Sequence, residues 1–315
     1  MSVKKSHLSV GAVIALVAGI TLLAVATAPT QEPAQAEFVA PPTRSGTPAD
    51  PARTGSPQPG PTGSGPATPD GTGPDGTVPG ATRTGSRPPV VDHGPRRGNL
   101  VALTFDADMT DAMRYQLRSG AVRSYANLTI VDLLEREQVP ATFFLTGKWV
   151  EEYPEVTRRL AGNPRFELAN HTYAHHAFVP DCYGLPHLPA RELTADAART
   201  FDVIAPYGGR QTRYFRFPGL CHDRAALDAL APLGVTVVDG DVISGDPFAK
   251  AWRPIVRAVL STVQPGSVIV LHVTEANAPM TDEALPHILA GLAERGLTPA
   301  TLSEVLATDA TDAPA

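Results

Sequence analysis

Cysteine is scarce in this chain of 315 residues, with Cys182 and Cys221 the whole supply. Both suit a single bridge, which argues against a thiol nucleophile. No G-x-S-x-G elbow stands at the end of an apolar run, which argues against a nucleophilic serine hydrolase. Charge of one sign is also missing: 26 Lys and Arg are interspersed with 32 Asp and Glu for a net charge of −6. Such a balance offers nothing to draw nucleic acid. Aromatic residues are absent between Phe38 and Phe105. A stretch that long without a ring cannot supply a packed core.

Proline fills that stretch instead. Sixteen of the chain's 32 prolines lie between Pro29 and Pro95, among Gly, Thr, Ser and Ala. Such a segment cannot bury enough apolar surface to offset the entropy of ordering it. It reads as an extended tether over 29–97, either a glycosylated stalk or a linker threading a cell wall. Ahead of it, Lys4 and Lys5 precede an uncharged run from Leu8 to Ala28. Positive charge before an apolar stretch is an export signal with a cytoplasmic N-terminus. As a helix the run spans about 30 Å, enough to cross a bilayer. Residues 1–28 are therefore expected to be a signal peptide or an N-terminal membrane anchor. Ala26-Thr27-Ala28 and Ala34-Gln35-Ala36 have the small-x-small form of a cleavage site, though Pro29 disfavours the first. Either outcome puts the remainder outside the cytoplasm, secreted or anchored by that one segment. Export in turn favours a Cys182–Cys221 bridge, with two free thiols as the alternative.

From Asn99 onward short apolar runs alternate with amphipathic segments. Strands are expected at 100–105, 141–145, 165–169, 213–217, 235–239 and 267–272. Helices are expected at 128–138, 149–160, 190–204, 224–231, 252–263 and 282–294. Strand followed by helix, repeated about seven times, implies a parallel sheet with helices outside it. The even spacing suits a distorted (β/α) barrel of about seven strands over 98–308, with 309–315 a disordered tail. A monomer is expected.

Polar residues recur at one place in this pattern. Asp106 and Asp108 follow the first strand, and His171 and His175 follow the third. Arg216 closes the fourth, Asp239 and Asp241 the fifth, and His272 the sixth. In a parallel barrel these carboxyl ends converge on one rim. His171 and His175, four apart in FELANHTYAHHAF, would face one ion from a helical turn, with Thr172 bracing the loop. Two imidazoles and one carboxylate with open positions make a catalytic metal site. Surface histidines are the plainer alternative, and His176 reads as a bystander.

LTFDAD, VPATFFLTGKWV, ELANHTYAH, FRFPG and SVIVLH occur in that order. Together they resemble the polysaccharide deacetylase family, the NodB-homology domain of carbohydrate esterase family 4, over about 99–306. The resemblance implies a distorted (β/α) barrel and metal-dependent removal of acetyl groups from N-acetylated sugars, or of O-acetyl groups from xylan. Carried over by position, Asp106 is the catalytic base, His171 and His175 are metal ligands, and Arg216 orients the base. His272 is the general acid, Leu271 lines the acetyl pocket, and the backbone N–H near Gly219 meets the oxyanion. A divalent ion is implied, zinc first, with cobalt or another as substitutes. The partner implied is a polysaccharide such as peptidoglycan, chitin-type glycan or xylan.

Several positions depart from the family pattern. Ala107 stands where the metal-binding aspartate usually follows the base, so Asp108 is the expected third ligand; a His-His site completed by water is the alternative. Gly219 replaces an aromatic residue after Pro218, losing one wall of the sugar site. The partner of His272 is a choice among Asp239, Asp241 and Asp246, with Asp246 preferred. Trp252 reads as a sugar-stacking platform or as core. Two further readings stay open: a non-catalytic glycan-binding domain of the same fold, and a related hydrolase of small amides or esters.

Overall fold

The computed structural model describes residues 85–307. The expected signal or anchor over 1–28, the linker as far as residue 84 and the tail from 309 lie outside the described residues. No helix among the described residues is long and apolar enough to cross a membrane.

Among the described residues, nine strands form one sheet: β1 (Val90–Val91), β2 (Leu100–Ala107), β3 (Ala141–Leu145), β4 (Phe166–Asn170), β5 (Arg210–Phe215), β6 (Thr236–Val238), β7 (Val242–Ile243), β8 (Val268–His272) and β9 (Thr298–Ala300). Their order is β1-β6-β5-β4-β3-β2-β8-β7, with β9 also beside β2. Every ladder is parallel. The α-helices between them are α1 (Asp111–Ser119), α2 (Leu128–Arg136), α3 (Gly147–Glu152), α4 (Pro154–Gly162), α5 (Leu193–Ile204), α6 (Arg224–Leu230), α7 (Trp252–Thr262), α8 (Thr281–Glu294) and α9 (Leu302–Ala307). This is the expected distorted parallel barrel, with β2 to β8 as its seven staves.

The barrel is irregular at one seam. β6 and β7 are joined by three residues, and Asp241 stitches the gap. Its carboxylate accepts from Val268 N–H at 2.7 Å, Ser267 Oγ at 2.9 Å and Arg96 Nη2 at 2.6 Å. Asp241 is therefore a structural tie and not the partner of His272. His93 and Ser267 form an antiparallel bridge across the same seam. The segment 85–97, expected as the end of the linker, is thus built into the domain. Gly94 packs so closely that a Cβ there would lie 2.6 Å from the carbonyl oxygen of Val305.

Strand alternation sorts side chains into two layers. Along β2, Val101, Leu103, Phe105 and Ala107 face outward into the main core beneath the helices. Ala102 joins Phe144, Ala169, Tyr214, Val238 and Val268 inside the barrel, where Leu302 and Val305 of α9 plug one end. Glu167, an acidic residue in an otherwise apolar strand, also points inward. Its carboxylate accepts from Thr142 Oγ1 and from Ser303 N–H in the first turn of α9. The helix expected over 149–160 is two, because Pro154 starts α4 afresh after Tyr153 leaves helical geometry.

Candidate metal and catalytic site

Inward-facing residues at the carboxyl ends of the strands converge in a cavity of about 450 Å³ lined by Asp106, Asp108, His171, His175, Asp246 and His272 among others. Asp106 is the penultimate residue of β2, and Arg216 follows β5. The Arg216 Nη1 donates to Asp106 Oδ1 at 2.7 Å and to Thr104 Oγ1 at 2.9 Å. Its Nε donates to the Val238 carbonyl at 3.1 Å, and its guanidinium lies over the Phe144 ring at 4.0 Å. Both partners of this ion pair are buried. Arg216 is held through Nε and Nη1, while its buried Nη2 has no hydrogen-bond partner among the described residues, and Asp106 is held with it.

Asp108 lies one alternation further on. Its Oδ1 is 3.5 Å from His171 Nε2 and 3.3 Å from His175 Nε2. That oxygen is buried and has no hydrogen-bond partner among the described residues. Burial alone would raise its carboxyl, but His175, His272 and His171 around it hold it well below the usual carboxylate range. His175 is pushed down to about 4, chiefly by burial, with Asp108 opposing the shift. It is a neutral imidazole at neutral pH. His171 Nδ1–H donates to the Arg216 carbonyl at 2.9 Å, which leaves Nε2 free to face the site.

The ligand atoms of Asp108, His171 and His175 lie within 4.8 Å of one another. Two imidazole nitrogens and an orphaned carboxylate oxygen match the donor set of a first-row divalent cation such as zinc. The residues fit the ion. The histidines do not meet on a helical turn, as expected from their spacing. They lie on a loop with left-handed backbone at Thr172 (φ 69°) and His175 (φ 56°). Thr172 Oγ1 accepts from His175 N–H at 3.1 Å, so the threonine does brace the loop. His176 has an Nδ1 with no hydrogen-bond partner and does not line the cavity.

His272 ends β8 on the far side of Asp108, with Nε2 3.9 Å from Asp108 Oδ2. Its Nδ1–H donates to Asp246 Oδ1 and its backbone N–H to Asp246 Oδ2, both at 2.8 Å. Ser244 and Thr281 hydroxyls donate to the same carboxylate at 2.8 and 2.7 Å. Burial would lower the imidazolium, but Asp246, with help from Asp108, pushes it up to about 10. Of the three candidate aspartates, Asp246 is thus the one beside His272. Asp239 pairs with His222 at 2.8 Å.

Two expected residues are elsewhere. Leu271 sits one alternation out of phase, in the core beneath the helices, and Val270 lines the cavity in its stead. Trp252 stacks on His287 outside the barrel, with ring centroids 4.0 Å apart. Gly219 does line the cavity wall, with φ 63°. Cys182 and Cys221 are disulfide-bonded, Cα to Cα 6.0 Å. Sequence reasoning missed Tyr183 and Phe248, which stand exposed at the cavity mouth.

A parallel barrel that gathers two histidines, two aspartates, an arginine and an aspartate-backed histidine on its carboxyl rim is a recognisable class of protein. Residues 93–238 match the polysaccharide deacetylase family model. That matched segment, somewhat under half of the chain, carries the likeness to the family. A chitooligosaccharide deacetylase of Sinorhizobium fredii is 29% identical over 177 residues, 53% of this chain and 79% of that protein. Among solved structures, a carbohydrate esterase family 4 pseudoenzyme from Bacillus anthracis is 21% identical with a TM-score of 0.56, over 70% of this chain and 69% of that one. A family 4 acetyl xylan esterase from Clostridium thermocellum, solved in complex with a cobalt ion, is 25% identical with a TM-score of 0.53, over 67% and 92%.

Proposed function

We propose that this domain is a metal-dependent hydrolase that removes acetyl groups from a polysaccharide, N-linked as in chitin-type glycan or peptidoglycan, or O-linked as in xylan. The observation that carries this reading is the orphaned Asp108 oxygen facing two histidine nitrogens, with Asp106 and His272 beside it at the ends of neighbouring strands. Asp108, His171 and His175 are the residues that hold the ion. Bound there, a divalent cation supplies Lewis acidity, polarising the acetyl carbonyl and acidifying water at the site.

The chain's own groups do the rest. Asp106, with one oxygen pinned by Arg216, keeps the other turned toward the site to take the proton of attacking water. Arg216 is a positioning residue, since it acts through the carboxylate it holds and aims. His272 is cationic at neutral pH and carries its proton on the Nε2 that faces the cavity, ready for the departing amine or alkoxide. Asp246 accepts from Nδ1–H and so aims Nε2 at the cavity. Each proton transfer of this kind contributes roughly 10²–10⁴-fold. The Gly219 N–H is assigned to the oxyanion that forms at the acetyl carbon.

We assign the domain to an extracytoplasmic compartment, secreted or anchored through the apolar run at 8–28. The charges before that run and the Cys182–Cys221 bridge support this address. The test is acetate release from chitin oligomers, peptidoglycan and acetylxylan, with added zinc and with chelator. Release from at least one of them, lost on chelation and restored by zinc, is expected. Release that continues undiminished without metal would reject the mechanism. Glycan binding with no release by the zinc-loaded protein would instead establish a non-catalytic binding domain.

A further inference from the structure

The mouth of the cavity carries two large rings that the chemistry of its floor does not use. Tyr183 is 66% exposed and Phe248 67% exposed, and both line the cavity. Their centroids lie 6.3 Å apart, the planes tilted by 40°. Ile243, half exposed, and Leu185 continue the apolar rim. Single apolar residues on a surface need no explanation, but a contiguous patch above a polar floor marks a binding surface.

Both rings are held in place by features of this chain. Tyr183 follows Cys182, whose disulfide to Cys221 pins the loop beside Gly219. A Cβ on Gly219 would lie 2.7 Å from Cys182 Sγ and 3.0 Å from Tyr183 Cδ2. The glycine that displaces an aromatic residue after Pro218 is therefore what lets the bridged loop approach, and Tyr183 returns a ring to the same wall. Phe248 shares one tight turn with Asp246, its N–H donating to the Gly245 carbonyl at 3.1 Å. That turn also carries the carboxylate that holds His272. A second depression, of about 550 Å³, shares Tyr183 and Leu185 with the first.

We propose that Tyr183 and Phe248 form an aromatic platform for the sugar neighbouring the acetylated one. The substrate is then a chain of pyranose units with equatorial substituents, whose flat C–H faces lie on the rings, and not a lone monosaccharide or small ester. This rests on the deacetylase reading of the cavity floor.

The test compares zinc-loaded wild type, Tyr183→Ala, Phe248→Ala and Tyr183→Phe on N-acetylchitotetraose and on p-nitrophenyl acetate. Each alanine variant is expected to lower the tetramer-to-ester ratio of kcat/KM about tenfold, mainly through tetramer KM, and Tyr183→Phe to restore it. An unchanged ratio in both alanine variants overturns the platform while leaving the deacetylase standing. Should wild type release no acetate from the tetramer, the ratio is read on the peptidoglycan or acetylxylan fragment that it does deacetylate; release from none of them fails the deacetylase reading, and calorimetry with the tetramer then decides the platform. Binding about tenfold weaker in Tyr183→Ala supports it, and equal or undetectable binding to both proteins overturns it.

Discussion

Asp106 and Asp108 leave one strand two residues apart, and a period of two puts both on the inner face. Ala107 between them faces outward into the core beneath the helices. The alanine that interrupts the family's paired aspartates thus moves the second carboxylate without turning it away from the histidines. The two differ in what touches them: Asp106 has a guanidinium at 2.7 Å, Asp108 two imidazoles and an oxygen with no donor. Asp106→Asn removes the base while keeping an oxygen to accept from Arg216. Acetate release should fall about 10²–10⁴-fold, while the variant, with a lowered thermal midpoint from the unpaired Arg216, still folds and binds zinc. Full activity in the folded variant would contradict the role of Asp106. The sequence fared unevenly at this scale. That Asp106, the two histidines and Arg216 meet at one rim was legible because their residue types and spacing are distinctive. Asp246 was one of three candidates, since only contact separates it from Asp239 and Asp241. Leu271 was misplaced because spacing says nothing about which face of a strand meets the cavity, and Trp252, open between platform and core, packs against the core.

The loop bearing His171 and His175 is steadied by a neighbouring element. Asp196 of α5 accepts the Tyr173 N–H, between the two histidines. Burial pushes this carboxyl up to about 6, against relief from the Tyr173 N–H, Lys148 and Arg199. Its value in the folded state lies above the ordinary one near 4, so the folded protein holds that proton more tightly than the unfolded chain. Stability from this group is present below pH 4, is lost as pH rises to about 6, and stays lost above. Asp196→Asn keeps the acceptor and removes the titration. Urea unfolding should find the variant gaining on wild type by about 2 to 3 kcal/mol between pH 4 and pH 8. Parallel pH profiles for the two proteins would contradict this. Other elements evaded the sequence for lack of length. β1, β7 and β9 span two or three residues, too few for any periodicity, and α1 is mostly polar. Tyr183 and Phe248 offered no signal because their exposure follows from a disulfide and a tight turn.

Across the whole domain, long apolar runs made the six principal strands legible, since strands buried on both faces read as continuous hydrophobic stretches. Closure was not legible, because the seam depends on Asp241 and on the segment 85–97, whose proline-rich composition matches the tether before it. The central claim spans these scales: two loops on the barrel's rim, after β2 and after β4, bring Asp108, His171 and His175 to one cation. Zinc binding measured by competition against a calibrated chelator, for wild type and Asp108→Ala, tests it most directly. One zinc per wild-type domain is expected, with affinity at least about a hundredfold weaker in the variant. Equal zinc affinity in the two proteins would contradict the account.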